Sequence, residues 1–145
     1  ASMVGAADRA ERWIAACRAR HAEIAAAAAR WPRRPRVYFE EWDDPMISAI
    51  RWVSELVGVA GGDDVFPELA AMPMGRDRVI ADALEPARRA PELIVGSWCG
   101  KKFRPEKVAA RPGWAAVPAV RDGALHEVKS ADILQPGRGA LPDGV

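Results

Sequence analysis

Hydrophobic positions along the chain switch between helical spacing and short β-branched or aromatic runs. Residues 8–30 carry Trp13 and Cys17 at helical spacing and contain no glycine or proline, which predicts one long helix that ends before Pro32. Residues 36–40 read Arg-Val-Tyr-Phe-Glu, a composition typical of a strand. The chain therefore opens with a long helix followed by a short strand.

The remaining segments continue this alternation. Further helices are predicted at residues 47–60, 77–89 and 105–110, and further strands at 93–95, 116–120 and 125–128. The last two strands are joined by a predicted turn at 121–124. Helices that alternate with short apolar strands predict an α/β fold with a mainly parallel sheet flanked by helices. In such sheets, ligands bind beyond the carboxyl ends of the strands.

Two predicted loops, residues 41–45 and 96–102, follow strands and should lie on the same edge of the sheet. Each loop carries a tryptophan, Trp42 or Trp98, in a chain with six tryptophans, one tyrosine and three phenylalanines. Aromatic faces in a cleft suit a bulky, flat ligand. Burial in the core is the alternative for each of the two side chains.

Composition adds limits rather than a function. The chain has 145 residues, enough for one domain with a core, and half of them are hydrophobic. The net charge of +1 gives no electrostatic footprint for nucleic acid. No apolar run is long enough to span a bilayer, so direct membrane insertion is not predicted.

Motifs for catalysis are incomplete. Trp98-Cys99-Gly100 resembles the start of a thioredoxin-type redox site, but Lys102 stands where the second thiol should be. The same stretch has three residues, not four, between its glycines, so it does not match a phosphate-binding loop. Neither a catalytic residue nor a cofactor is predicted. A small thiol-dependent domain that uses Cys99 is the alternative from a different functional class.

Metal binding has little support from residue spacing. His21 and His126 stand alone, without a cysteine or histidine at ligand spacing. An acidic cluster at residues 40–44 leaves two interpretations open: a hard-cation site, or a solvated loop in which Asp44 precedes Pro45 in a turn.

A series of short motifs resembles the C-terminal lobe of the periplasmic binding proteins that deliver cobalamin and ferric siderophores to ABC importers. The motifs, in order, are RPRVYFEEWDDPMISAIRWVSELVGVAGGDDVF, PELIVGSWCGKKF, GWAAVPAVRDGALHEV and SADILQPGRGALPDGV. Their series covers nearly the whole chain. Glu-Trp and Ser-Trp-Cys-Gly-Lys resemble the cobalamin-binding branch more than the siderophore branch.

The resemblance implies a domain organisation. We expect residues 1–6 to be an N-terminal tail, residues 7–31 a long helix that links two lobes, and residues 32–145 the C-terminal lobe. That lobe should be a three-layer, Rossmann-like α/β unit with a short, mainly parallel sheet. The N-terminal lobe, which forms the other wall of the ligand cleft in the family, is absent from this sequence.

The resemblance also implies a role without chemistry. We expect cobalamin, or a similar metal chelate, to contact Glu41, Trp42, Asp43, Trp98, Lys101 and Gln135, with Gly96 and Gly100 shaping the loop around Trp98. A ferric siderophore or haem is the alternative ligand. The resemblance further implies a periplasmic or extracytoplasmic location and docking on an ABC permease. Asp77 is the expected docking residue; its alternative role is to cap a helix.

Overall fold

A computed structural model describes residues 6–135 of the chain. Its strands are β1 (Arg36–Asp43), β2 (Met46–Ser48), β3 (Asp63–Asp64), β4 (Leu93–Gly96) and β5 (Leu125–Glu127). Its helices are α1 (Ala7–Ala28), α2 (Arg51–Val59), α3 (Pro67–Ala70), α4 (Glu85–Arg88), α5 (Pro105–Ala109), α6 (Pro118–Arg121) and α7 (Ser130–Ile133). A short 3₁₀ helix, Gly75–Arg78, lies between α3 and α4.

The five strands form one mainly parallel sheet in the order β2-β1-β4-β5, and β3 also pairs with β1. β1 runs parallel to β3 and β4, and β4 runs parallel to β5. Only β2 is antiparallel, because it returns from β1 through a tight turn. The carboxyl ends of β1, β4 and β5 therefore meet at one edge, as the α/β prediction requires.

Side chains of β1 alternate between the two faces of the sheet, each of which packs against helices. Tyr38 faces a core that includes Trp98, Phe103 and Trp114, on the side of α5 and α6. Phe39 faces a second core on the side of α2 and α7. This three-layer arrangement confirms the predicted fold class.

The first helix, α1, occupies most of the segment that the sequence assigns to a long linker helix. It packs on α2, and Cys17 is its buried residue. Much of the rest of its surface is exposed, since alanine supplies most of its apolar side chains. No helix within residues 6–135 is both long and apolar enough to cross a membrane.

The hairpin between β1 and β2 corrects two predictions. Residues 41–45 were expected to form a loop, but β1 continues to Asp43, with a break in register between Glu40 and Trp42. The helix predicted from residue 47 begins at Arg51 instead, because residues 46–48 pair with β1. Backbone pairing along a neighbouring strand thus overrode the helical spacing at this point.

Two further elements differ from the prediction. The helix predicted at 77–89 is replaced by the 3₁₀ helix, a bridge of Val79 to β2, and the short α4. Asp82 accepts the Leu84 N–H at 2.9 Å, a local turn that competes with helix formation. The strand predicted at 116–120 is the helix α6, which starts at Pro118, since proline suits the first turn of a helix.

Candidate functional site

Four of the predicted site residues come together at the carboxyl edge of the sheet. Trp42 and Asp43 end β1, while Trp98 and Lys101 follow β4. Because β1 and β4 are parallel neighbours, their carboxyl ends lie side by side. We refer to Trp42, Asp43, Trp98 and Lys101 as the edge cluster.

The ammonium group of Lys101 links the edge cluster. Its Nζ lies 4.1 Å from the centroid of the Trp42 ring and 5.2 Å from that of the Trp98 ring, within the range of cation–π attraction. The same ammonium forms an ion pair with the Asp43 carboxylate, whose side chain is only 9% exposed. Two aromatic rings and one carboxylate therefore surround a single cation.

A fully buried carboxylate, Glu40, holds Trp98 in place. Trp98 Nε1 donates to Glu40 Oε1 at 2.9 Å. Arg111 donates to both carboxylate oxygens, at 2.6 and 2.9 Å, and the Tyr38 hydroxyl donates to Oε2 at 3.0 Å. Each oxygen of Glu40 thus accepts two hydrogen bonds, and the network fixes the position of the Trp98 indole within the edge cluster.

The protonation of this network follows from its burial. Burial raises the pKa of Tyr38 well above its ordinary value, and the negative charge of Glu40 raises it further. The phenol therefore stays protonated and remains a donor. Burial acts to lower the pKa of Arg111, but hydrogen bonding to Glu40 and the charge of Glu40 raise it overall. The guanidinium consequently remains charged.

Glu41, another predicted ligand contact, is engaged by an arginine from the 3₁₀ helix. Arg78 Nη1 lies 2.6 Å from Glu41 Oε2 and also donates to the Ser48 carbonyl at 2.5 Å. The Arg78 side chain is only 2% exposed. This arginine therefore ties the 3₁₀ helix to both strands of the hairpin.

The acidic cluster at residues 40–44 fits the predicted turn only at its end, where Asp44 and Pro45 form an exposed turn after β1. Glu40 pairs with Arg111, Glu41 with Arg78, and Asp43 with Lys101. Among the described residues, no group of three or more metal-ligating side chains is gathered in one place. The solvated-loop interpretation is also wrong for Glu40, which is buried in strand β1. Paired cations explain why these carboxylates tolerate low exposure.

Trp98 and Gln135 occupy unlike environments. Trp98 is only 3% exposed, packs edge-on against Phe103 at 5.1 Å, and borders a groove with the remainder of its surface. Gln135 is exposed just after α7 and forms no hydrogen bond or ring contact with the edge cluster in the described part of the chain. The predicted ligand-facing segment 133–138 continues from there into residues 136–138, which lie outside the described residues.

Asp77 lies in the 3₁₀ helix rather than at the start of a longer helix. Met74, not Asp77, precedes that helix, and no side chain caps it. Capping by Asp77 is therefore wrong. The carboxylate is 46% exposed and lies 3.7 Å from the guanidinium of Arg76. It is accessible for an interaction outside the chain.

Two open grooves border the edge cluster. The first, of about 570 Å³, is mainly apolar, with Asp43, Asp44 and Arg111 as charged members. Its other lining side chains include Met46, Ile80, Leu84 and Trp114. The second, of about 480 Å³, is lined by Trp98, Lys101, Lys102, Lys129 and two acidic residues. Asp43 thus borders an apolar groove, Trp98 and Lys101 border a charged one, and Trp42 lines neither of the two.

One carboxylate of the second groove is held in its ionised form. Hydrogen bonding to Lys129 and then to the Phe103 N–H lowers the pKa of Glu127. Lys129 Nζ lies 2.8 Å from Glu127 Oε2. The charge of Lys102 lowers the same pKa further. Lysines outnumber the acidic residues in this groove by three to two.

Arg111 is the main site residue that the sequence did not predict. Its partner Glu40 lies 71 positions earlier in the chain. The signal available was that Glu40 shares a strand face with the apolar Tyr38, which implies a buried carboxylate in need of a cation. Nothing in the spacing identifies Arg111 among the 21 lysines and arginines.

Cys99 is exposed, whereas Cys17 is buried in α1, and both thiols are free. The structure thus gives Cys99 no resolving partner within the described residues. A two-thiol redox mechanism of the thioredoxin kind is not supported.

Comparison with known proteins identifies the family. A sequence profile described as periplasmic binding protein matches residues 1–131. The chain belongs to the periplasmic binding protein family. The family and its solved structures are solute-binding proteins rather than enzymes. No curated protein matches the sequence.

Solved structures show the same fold at low sequence identity. A periplasmic binding protein from Veillonella parvula has 23% identity and a TM-score of 0.75, over 97% of this chain and 49% of its own. The periplasmic heme-binding protein RhuT from Roseiflexus, in apo form, has 22% identity and a TM-score of 0.75, over 99% and 56%. S. aureus IsdE complexed with heme has 17% identity and a TM-score of 0.65, over 86% and 49%. This chain spans about half the length of these structures.

Proposed function

We propose that this chain is the C-terminal, ligand-binding lobe of an extracytoplasmic solute-binding protein that delivers a planar metal chelate to an ABC importer. The edge cluster carries the proposal. It joins two indole rings, a carboxylate and an ammonium at the carboxyl ends of parallel strands, where ligands bind in α/β sheets. Open grooves on either side leave room for a large, flat molecule.

The lobe assignment rests on length and on α1. The solved relatives are about twice as long as this chain, which supports a second lobe in the whole protein. In that arrangement α1, which leaves much of its surface exposed, is the helix between the lobes. The edge cluster then forms one wall of a cleft, and the second lobe forms the other.

The proposed ligand class is a metal tetrapyrrole. Motif resemblance favours cobalamin, whereas RhuT and the IsdE complex, as heme-binding proteins, support haem as the alternative. Haem offers a broad ring face to Trp42 and carboxylates at its rim, whereas cobalamin carries axial ligands on its corrin ring and amides around the rim. A ferric siderophore, which lacks such a face, makes less use of the indole rings.

Asp77 is the proposed contact with the permease. Its carboxylate is exposed, and Arg78 anchors the short helix that carries it. A rigidly held surface charge suits recognition of a basic partner surface. We expect the charge reversal D77K, in the whole importer, to abolish uptake while leaving chelate affinity within about threefold. Loss of affinity together with uptake would contradict a docking role.

A fluorescence titration with cyanocobalamin, haemin and a ferric siderophore tests the proposed function. Both the 145-residue chain and a two-lobe protein that contains it should be titrated, with correction for absorption by each coloured ligand. We expect saturable binding of one tetrapyrrole by the two-lobe protein, weakened at least about tenfold by W42A because a stacking face is lost. The single lobe should bind more weakly.

The matched control is W31A. Trp31 is about half exposed and precedes β1, so it lies towards the opposite edge of the sheet from Trp42. Its removal should change affinity less than about threefold. W98A is a poor test, since it would remove one of the donors to the buried Glu40 and the ring that packs against Phe103. If the two-lobe protein binds none of the three ligands, the proposed function is contradicted.

A further inference from the structure

Lys101 covers the ring that a flat ligand would use. Its ammonium lies 4.1 Å from the centroid of Trp42 and is held there by the ion pair to Asp43. Trp98 borders the same charge from the other side, at 5.2 Å. A chelate that stacks on Trp42 must therefore compete with this cation for the ring face.

The competition depends on the charge of the ligand. A neutral chelate that moves the ammonium off the ring offers nothing in exchange for the lost cation–π attraction. An anionic chelate supplies a carboxylate that binds the Lys101 ammonium when the ammonium leaves the ring face of Trp42. An ammonium has three N–H donors, so Lys101 can hold Asp43 and a ligand carboxylate together. Displacement then leaves neither the lysine nor Asp43 without an opposite charge.

The local structure leaves Lys101 a place to go. The side chain is 38% exposed and lines the second groove together with Lys102 and Lys129. Gly100, just before it, adopts a left-handed turn with φ of +74°, and beyond its two chain neighbours no described residue lies within 4 Å of where its Cβ would be. The side chain can therefore move off the Trp42 ring towards the second groove, where Lys102 and Lys129 face two acidic residues.

We propose that Lys101 is a displaceable plug on Trp42 that selects chelates bearing carboxylate groups. This inference rests on the proposed function and, within its ligand class, favours haem, which has carboxylates at its rim, over cobalamin, whose rim carries amides. An anionic ligand draws the ammonium off the ring and keeps it as a counter-ion, whereas an uncharged ligand meets a blocked ring. Lys101 is thus a specificity residue rather than a general contact.

Haemin and its dimethyl ester have the same ring, but the ester lacks free carboxylates. Comparing their affinities therefore distinguishes the effect of ligand charge from that of ligand shape. Both should be titrated against the two-lobe protein, its K101M variant and the matched control K107M. We expect K101M to weaken haemin at least about tenfold, through the loss of one charge-assisted hydrogen bond, and to tighten binding of the ester, because the Trp42 ring is no longer covered. An unchanged affinity for the ester would overturn the plug and leave Lys101 as a counter-ion only. K107M should change either affinity less than about threefold, because Lys107 is exposed on α5 and lines neither of the two grooves.

The outcomes distinguish this inference from the proposed function. Equal weakening of haemin and ester by K101M, or no effect on haemin, would overturn the plug and leave chelate binding intact. Absence of binding of either probe by the unmodified protein would overturn both the plug and the proposed function.

The emission spectrum of the free protein gives an independent check. Removal of the ammonium in K101M should shift tryptophan fluorescence, and an unchanged spectrum would argue against the contact with Trp42.

Discussion

Replacement of Glu40 by glutamine is expected to lower the free energy of unfolding by about 3–5 kcal/mol. The fully buried carboxylate accepts hydrogen bonds from Tyr38, Trp98 and both terminal nitrogens of Arg111. Glutamine has the same shape but no charge, and one of its two terminal atoms becomes a donor that faces other donors. The largely buried guanidinium of Arg111 then loses its counter-ion.

Urea denaturation of E40Q and of the control E68Q distinguishes the loss of a buried ion pair from the loss of an exposed one. Glu68 also lies 2.6 Å from an arginine, Arg89, but its side chain is 53% exposed. The exposed pair should contribute less than about 1 kcal/mol. Removal of both partners in E40L/R111M should recover part of the loss, since no buried charge remains. A loss below about 1 kcal/mol in E40Q would contradict the role given to this network.

Substitution of Gly96 by alanine is expected to lower the free energy of unfolding by about 1–3 kcal/mol or more, the usual range for overpacking a core. A Cβ at this position would lie 1.9 Å from Cδ2 of Phe103. The ring cannot retreat, because Phe103 is buried and packs edge-on against Trp98. Gly96 ends strand β4, so the requirement is close packing rather than the turn that the sequence suggested.

The matched control is G58A. Gly58 lies within α2, and its nearest neighbour beyond the helix is an Arg34 nitrogen at 3.9 Å. Alanine favours a helix by about 1 kcal/mol over glycine, so this variant should be more stable than the parent.

A double variant tests the clash itself. In G96A/F103L, where leucine replaces the clashing ring, the loss in the free energy of unfolding should be smaller than the sum of the losses in G96A and F103L. Strict additivity of the two substitutions would contradict the packing argument.

The layered α/β fold was predictable because its strongest signals are local. Residues 36–40 and 93–95 are short apolar runs bounded by polar or turn residues, and both are strands in the structure. Pro105 and the turn at Gly123 similarly mark local boundaries. The misassigned segment 116–120 shows the limit. Its apolar run fits a strand or a buried helix equally well, and Pro118 decided in favour of the helix.

The site was predictable in position but not in detail. Parallel strands bring Trp42 and Trp98 to one edge, and strand periodicity is enough to expect that. The partner of each charged side chain, however, comes from a distant part of the sequence. Arg111 contacts Glu40 from a loop 71 residues later in the chain. Lys101, which follows β4, contacts Asp43 at the end of the neighbouring strand β1. No spacing rule joins such pairs, because the contact is set by packing of the whole lobe.

The chelate titration is most direct when followed through the indole N–H resonances of the six tryptophans. A diamagnetic ligand such as cyanocobalamin or zinc protoporphyrin keeps those signals sharp. Trp13 and Trp31 lie on or beside the long helix, and Trp52 bonds the Ile133 carbonyl on the opposite face from Trp98. Saturable shifts at Trp42 and Trp98, with these three unmoved, are the predicted result. Shifts confined to Trp13, Trp31 or Trp52 would contradict a ligand site at the carboxyl edge of the sheet.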